Sequence, residues 1–231
     1  MKPISALQMR YSDRYFSSVK LLCGFNGING STTLVDESST GRTLTALSAA
    51  QLTTAQQKFG SASLLLDGTN DAISAPGSAD WAFGSGDFTV ELFVRFNAVT
   101  SDIAFMTNSN SSGVGWTFYR SSGLLRFGSS AGGTESAIAW TPTTGVWYHL
   151  AADKFGSSIR IYIDGVMQNK RTDWSGTLTS DNAQALTLSR ISYVDLWNLD
   201  GWIDEVRVTK GVARYASDSG FTVPTAAFPR S

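Results

Sequence analysis

The chain has 231 residues, with 18 basic and 19 acidic side chains, and only 16% of its residues are charged. A net charge of −1 excludes binding to polyanions through bulk charge, so no nucleic-acid partner is expected. One cysteine, Cys23, and one histidine, His149, exclude an internal disulfide, a multi-cysteine metal site and an HExxH protease.

The opening MKPISALQMRYSDRYF lacks the apolar core of a secretory signal, and no apolar run is long enough to predict a transmembrane helix, so no membrane insertion is expected. Residues 1–18 read as an N-terminal arm, with Arg10, Tyr11, Arg14, Tyr15 and Phe16 as a docking segment, ahead of one domain over 19–231. Lys20–Phe25 is the first predicted strand. Arg42–Lys58 carries Leu44, Leu47 and Ala50 at helical spacing, but its threonines favour extended chain and loop. Ala62–Asp67 is the next strand, closed by the turn Gly68-Thr69-Asn70. Asp87–Phe96 alternates strictly: Phe88, Val90, Leu92, Val94 and Phe96 share one face, and Thr89, Glu91, Phe93 and Arg95 the other, as in a half-buried strand. Ile103–Thr107, Trp116–Arg120, Leu124–Gly128 and Ser136–Trp140 follow, then Val146–Ala151. Ser158–Asp164 alternates again through Ile159, Ile161 and Ile163, ends in the hairpin dipeptide Asp164-Gly165, and resumes at Val166-Met167. Leu186–Arg190 and Trp202–Thr209 complete the set. A dozen short strands with turns between them and no alternating helices predict an all-β antiparallel sandwich or barrel. Pro76 and Pro142 are the only prolines away from the two ends, as a continuous sheet requires.

Four stretches together resemble the concanavalin A-like, laminin-G-like jelly-roll family. They are KFGSASLLLDGTNDAISAPGSADWAFGSGDFTVELFVRF (58–96), GVWYHLAADKFGSSIRIYIDGVMQ (145–168), LSRISYVDLWNLDGWIDEVRVTKGVARY (188–215) and the tail FTVPTAAFP (221–229), which is similar to bacteriophage versions. The resemblance spans residues 20–229. It implies two antiparallel sheets packed face to face, with Val206 and Val208 of IDEVR inward and its charged residues pointing off one face. It leaves several functions open, because lectins, adhesion modules, glycosidases and structural phage parts share the fold.

Glycosidases need two carboxyls about 5–10 Å apart. Asp87 and Glu91 are four residues apart, too far for a tight pair, and strict alternation sends adjacent Asp204 and Glu205 to opposite faces. His149 has no nucleophile motif beside it, Cys23 lies in an apolar strand, and Gly84-Ser85-Gly86 lacks the context of a phosphate loop, so no enzyme is expected. Carbohydrate recognition needs exposed aromatic rings with Asx partners. The candidates are Trp116 and Tyr119 on a strand, Trp174 in RTDWSG, and Tyr193, Asp195, Trp197 and Asn198 in ISYVDLWNLDG. Trp81, Trp140, Trp147 and Trp202 are assigned to packing. Laminin-G-like domains often carry calcium; the oxygen sets nearest to such a site are Asp67, Asn70 and Asp71 in LDGTND, or Asp36 meeting Asp204 across the sheet. The resemblance implies a multi-copy virion protein, made in the host cytoplasm and acting outside it. It would grip other virion proteins through the arm and host glycans through the aromatic loop; the alternative is a purely architectural decoration subunit.

Overall fold

A computed structural model describes residues 12–99, 102–129, 135–180 and 182–231. Arg10 and Tyr11 of the expected docking arm lie outside these residues. The strands are β1 (Val19–Cys23), β2 (Thr45–Leu47), β3 (Gln51–Thr53), β4 (Ser63–Asp67), β5 (Ala72–Ala75), β6 (Phe88–Phe96), β7 (Ile103–Ser109) and β8 (Gly115–Ser121). They continue with β9 (Leu124–Ser129), β10 (Glu135–Ala139), β11 (Trp147–Phe155), β12 (Ser158–Ile163), β13 (Val166–Arg171), β14 (Leu186–Leu188) and β15 (Asp200–Lys210). The first sheet runs β13-β12-β11-β6-β15-β4-β3, with β1 also paired to β15; the second runs β10-β9-β8-β7-β14-β5-β2. Every pairing is antiparallel, as a jelly-roll sandwich requires. Residues 42–58 hold β2 and β3 and no helix.

Alternation builds the interior. Phe88, Val90, Leu92, Val94 and Phe96 from the first sheet meet Phe105, Trp116, Phe118 and Phe127 from the second in one buried cluster. Full burial of each such side chain contributes about 1.5–3 kcal/mol. The hairpin at Asp164-Gly165 forms as its dipeptide predicts, with both residues at positive φ (49° and 75°). Phe221 donates its amide to the Gly165 carbonyl (2.8 Å), and its own carbonyl lies where a Cβ at Gly165 would be, so glycine is required twice over.

The strand β6 differs from expectation: it is buried on both faces. Thr89, Glu91 and Phe93 are at most 1% exposed because residues 211–231 fold back across the outer face of the first sheet. Val19, Leu22, Phe93 and Phe228 form a second apolar cluster there, joined by Phe16 and Val223. Beside it lies a buried charged network. Arg207 Nε donates to Glu91 Oε1 (2.8 Å), His149 Nε2 sits 3.1 Å from Glu91 Oε2, and Tyr215 donates its hydroxyl to the same carboxylate. Arg214 donates to Asp13 (2.6 Å) and brings residues 12–18 onto the domain; Tyr15 lies under the Arg214 guanidinium. Arg14, Tyr15 and Phe16 therefore lie on their own domain, with Arg14 stacked on Tyr15 at 4.4 Å. Burial would push the Glu91 carboxyl up, but Arg207, His149 and Arg214 hold it well below the usual carboxylate range.

The IDEVR segment carries a β-bulge. Its register on β6 shifts between Asp204 and Arg207, and Glu205 takes a positive φ of 48°. The bulge lies where the neighbour of β15 changes from β4 to β1. It overturns the strict alternation of Asp204 and Glu205, since both carboxylates turn to the outer side while Val206 and Val208 pack inward. Asp204 Oδ2 accepts the Lys58 and Phe59 amides (2.8 and 3.1 Å), and Glu205 Oε2 accepts the Phe228 amide (2.8 Å).

Burial pushes the Asp204 carboxyl up to about 7, against its amide donors and with Glu205 adding to the rise. A carboxyl whose folded pKa is raised stays protonated in the fold after the unfolded chain has released its proton. This group's contribution to stability therefore falls as pH rises from its ordinary value of 3.8 to about 7. The stability cost of Asp204→Asn is expected to shrink over that window, as urea melts of both proteins at its two ends will show. A cost that stays constant across the window, or grows, contradicts the raised carboxyl.

Candidate functional site

The loop between β14 and β15 leaves the second sheet, folds over its outer face and returns to the first sheet. There it closes a cleft of about 330 Å³ whose walls include Tyr119, Tyr193, Trp197 and Glu135. The strand β8 supplies the floor by alternation: Trp116 and Phe118 point into the core, so Thr117 and Tyr119 point out. Glu135 enters from β10, where it pairs with Gly128 of β9. Tyr119 stacks on Trp197 (5.3 Å between centroids, 16° between planes) and donates its hydroxyl to Glu135 (2.8 Å). Arg126 forms an ion pair with the same carboxylate. Burial and the bond to Glu135 push the Tyr119 phenol up to about 12, so it remains a neutral donor. Behind Thr117 lies a set of hydroxyls linked by contacts of 3.0–3.3 Å: Thr107, Ser109, Ser192 and Thr187.

Trp197 adopts a left-handed conformation with φ 66°, unusual for so bulky a side chain. Such a residue costs about 1–3 kcal/mol and is held there by its surroundings. Its carbonyl accepts the Ala104 amide (2.8 Å), and the Leu199 amide is fixed by Ser189 Oγ (3.0 Å). Tyr193 is 50% exposed at the rim, next to exposed Val194 and Leu196.

Of the residues the sequence offered, the fold brings Tyr119, Tyr193 and Trp197 together. Asp195 and Asn198 bond to each other (3.1 Å) and brace the loop beside the cleft. Trp116 and Trp174 are 0% and 3% exposed and belong to the core, so neither offers a ring to a sugar. Trp116 spends its N–H on the Trp81 carbonyl (2.8 Å), and Trp174 on that of Gly176 (3.1 Å). Among the packing assignments, Trp81 is buried and Trp140 and Trp147 are partly buried against the clusters, but Trp202 joins neither cluster. Glu135 and the hydroxyl-bearing strand positions were missed. Alternation through GWTFYRS was the signal that could have found Thr117.

The carboxylates of the calcium candidates are engaged with backbone amides. Asp71 gives its oxygens to the Ala49 and Asp67 amides (2.7 and 3.1 Å), and Asp67 accepts the Thr69 amide (2.8 Å) in the turn that Asn70 completes at φ 58°. Asp36 caps Leu22, Ser38 and Arg42, while Asp204 caps the loop before β4, so the two serve separate backbone segments. Among the described residues no group of three or more His, Cys, Asp or Glu side chains is gathered as a metal needs. Asp87 caps the Gly156 amide (2.9 Å), and Glu91 lies beneath the tail, bound to Arg207.

A lectin-type sandwich with an aromatic cleft on one outer face is the class of protein that this geometry defines. The chain belongs to the concanavalin A-like lectin/glucanase superfamily, whose Laminin_G_3 family model matches residues 67–215. Among curated proteins no sequence matches the chain. Similar solved structures include the binding domain of Paraclostridial Mosquitocidal Protein 1 (13% identity, TM-score 0.65, covering 86% of this chain and 50% of that one). The binding domain of botulinum neurotoxin serotype C1 is similar too (15% identity, TM-score 0.64, covering 86% and 50%). The chain thus spans about half the length of these structures, and the likeness is one of fold.

Proposed function

We propose that this chain is a non-catalytic, lectin-like protein on the exterior of a bacteriophage particle, as tail fibre, appendage or capsid decoration, and that it binds host-surface glycans in the Tyr119–Trp197 cleft. The observation that carries the binding reading is the strained Trp197, stacked on Tyr119 at the mouth of a cleft with hydroxyl and carboxylate partners. Stacked rings meet the C–H face of a sugar, while Tyr119, Glu135 and Ser109 offer hydrogen bonds to hydroxyls. The virion reading is supported by the likeness of FTVPTAAFP to the C-terminal segment that follows the closing strand in bacteriophage versions of the domain. Weak single contacts suit a multi-copy particle, where repetition turns them into avidity. The non-catalytic reading is supported by the burial of Glu91, Asp204 and Glu205, each engaged with partners beneath the tail or loops.

The test is a glycan array probed with a multimerised form of the full chain. Trp197→Ala and Tyr193→Ala are each expected to weaken binding about two- to tenfold, since a stacked ring contributes about 0.5–1.5 kcal/mol. Both variants should keep the wild-type circular dichroism spectrum. A folded wild type that binds no host-surface glycan overturns the reading in favour of architecture. That alternative draws on the burial of Trp116 and Trp174, which removes two of the rings available for adhesion.

A further inference from the structure

The loop after β1 carries two Asn-Gly dipeptides, Asn26-Gly27 and Asn29-Gly30. In such a dipeptide the backbone amide can attack the preceding side-chain amide, because glycine puts no side chain in the way. The fold treats the two differently. At the first, one hydroxyl meets both reacting groups. The Gly27 amide donates to Ser61 Oγ (3.2 Å), and Ser61 Oγ donates to Asn26 Oδ1 (3.3 Å). The Ser61 amide donates to the same Oδ1 (2.7 Å), so this carbonyl oxygen faces the pair of donors that stabilises negative charge developing on it. Gly60 allows the close approach: its φ is 64°, and a Cβ there would overlap Asn26 Oδ1. Both partners are held from behind. Phe25 is buried in the core at a positive φ of 49°, and the Lys58 and Phe59 amides are fixed by Asp204 Oδ2 (2.8 and 3.1 Å). At the second dipeptide the Gly30 amide is committed to the Leu52 carbonyl (2.8 Å), which has no proton to pass on, and Asn29 Oδ1 accepts the Thr54 amide (3.1 Å).

We propose that Asn26-Gly27 is a self-modification site, at which the chain converts Asn26 to aspartate and isoaspartate with Ser61 as the proton carrier. The Gly27 nitrogen bonds to Asn26 Cγ. Its proton passes to Ser61 Oγ while the Ser61 hydroxyl proton moves to Oδ1. The tetrahedral adduct then collapses: the carbonyl re-forms, the Cγ–Nδ2 bond breaks, and Nδ2 leaves as ammonia with the proton from Oδ1. The product is a five-membered succinimide. Asn26, Gly27 and Ser61 are exposed, so water reaches the ring and opens it at either carbonyl. The balance is side-chain amide and water to carboxylate and ammonium, with no change of oxidation state. The change adds a negative charge to the loop and, in the isoaspartate form, a methylene to its main chain. This loop covers β3, the end strand of the first sheet: Gly30 donates to the Leu52 carbonyl, and the Leu52 amide donates to the Ser31 carbonyl (both 2.8 Å). The modification therefore acts on the cover of a sheet edge.

The test is incubation of the full chain at mildly alkaline pH, followed by mass spectrometry of the tryptic peptide 21–42, which holds both dipeptides. Conversion adds about 1 Da, fragment ions assign it to Asn26 or Asn29, and isoaspartate methyltransferase labels the isomer. In the folded chain Asn26 is expected to convert at least about tenfold faster than Asn29, and Ser61→Ala to slow Asn26 by about tenfold or more while Asn29 keeps its rate. Ser61→Thr, which keeps the hydroxyl, is expected to convert Asn26 faster than Ser61→Ala does. In urea the two asparagines are expected to convert at similar rates, since the fold alone distinguishes them. Asn29 converting as fast as Asn26 in the folded chain overturns the proposal. So does a Ser61→Ala variant in which Asn26 keeps or exceeds its wild-type rate, or a Ser61→Thr variant as slow as Ser61→Ala. Asn26 converting as fast in urea as in the folded chain also overturns it, because the hydrogen bonds of Ser61 then give no acceleration.

Discussion

Arg207→Ala is expected to lower the unfolding free energy by about 3–5 kcal/mol, because it strands buried carboxylates without their cation. Arg207 is 5% exposed, and its Nε bonds to a Glu91 that is fully buried. Arg214 lies 3.9 Å from Glu91 but is committed to Asp13, so it cannot take over both roles. Arg207 also stacks its guanidinium 3.9 Å over Phe228, and its loss loosens the tail. Urea unfolding followed by tryptophan fluorescence measures the change. The same experiment on Glu91→Ala and on the double variant closes a cycle, and a coupling of at least about 1 kcal/mol is expected for groups in one network. A loss below about 1 kcal/mol for Arg207→Ala matches a solvated surface pair and contradicts burial beneath the tail.

Trp116→Ala is expected to cost about 3–5 kcal/mol, the usual range for emptying a buried tryptophan site. Its ring stacks between Phe83 (5.1 Å) and Phe127 (5.7 Å) at the centre of the interior. Its N–H also satisfies the Trp81 carbonyl, which the variant leaves unpaired. Trp116→Phe keeps most of the packing and loses that bond, so a smaller cost of about 1–3 kcal/mol is expected. Trp197→Ala gives the contrasting outcome, a stability near that of the wild type with glycan binding weakened. If Trp116→Phe abolishes glycan binding while stability holds, Trp116 is a ligand-facing ring and its placement in the core is wrong.

The difference between these two tryptophans shows what a sequence displays and what it hides. Strands long enough to show period two were legible, and β6, β11, β12 and β15 stand within a few residues of where alternation placed them. The strands β2, β3 and β5 are three or four residues long, too short to show a period, and they were missed. Alternation also describes only one strand at a time. Nothing near Glu91 reveals that Tyr215, 124 positions later, will cover it, so a strand buried on both faces was read as half-buried. One inserted residue at the Asp204 bulge reversed the reading of its neighbour. Tyr193 and Trp197 were legible because aromatic rings beside Asx residues mark a loop with an exposed face. Trp116 differs from them only in lying on an alternating strand, and it packs on the same side as Phe118.

The two ends of the described chain are tied together, since the Asp13 amide donates to the Ser231 carbonyl (2.6 Å) on the outer side of the first sheet. A pull entering at residue 12 first meets Asp13, clamped by Arg214 and Arg207, and then β1 on β15. A ligand in the Tyr119–Trp197 cleft pulls instead on the second sheet. Were the chain held at residue 12 while a ligand sat in that cleft, tension would run across the thickness of the sandwich. The interior side chains that join the two sheets would carry it together with the Asp13 clamp.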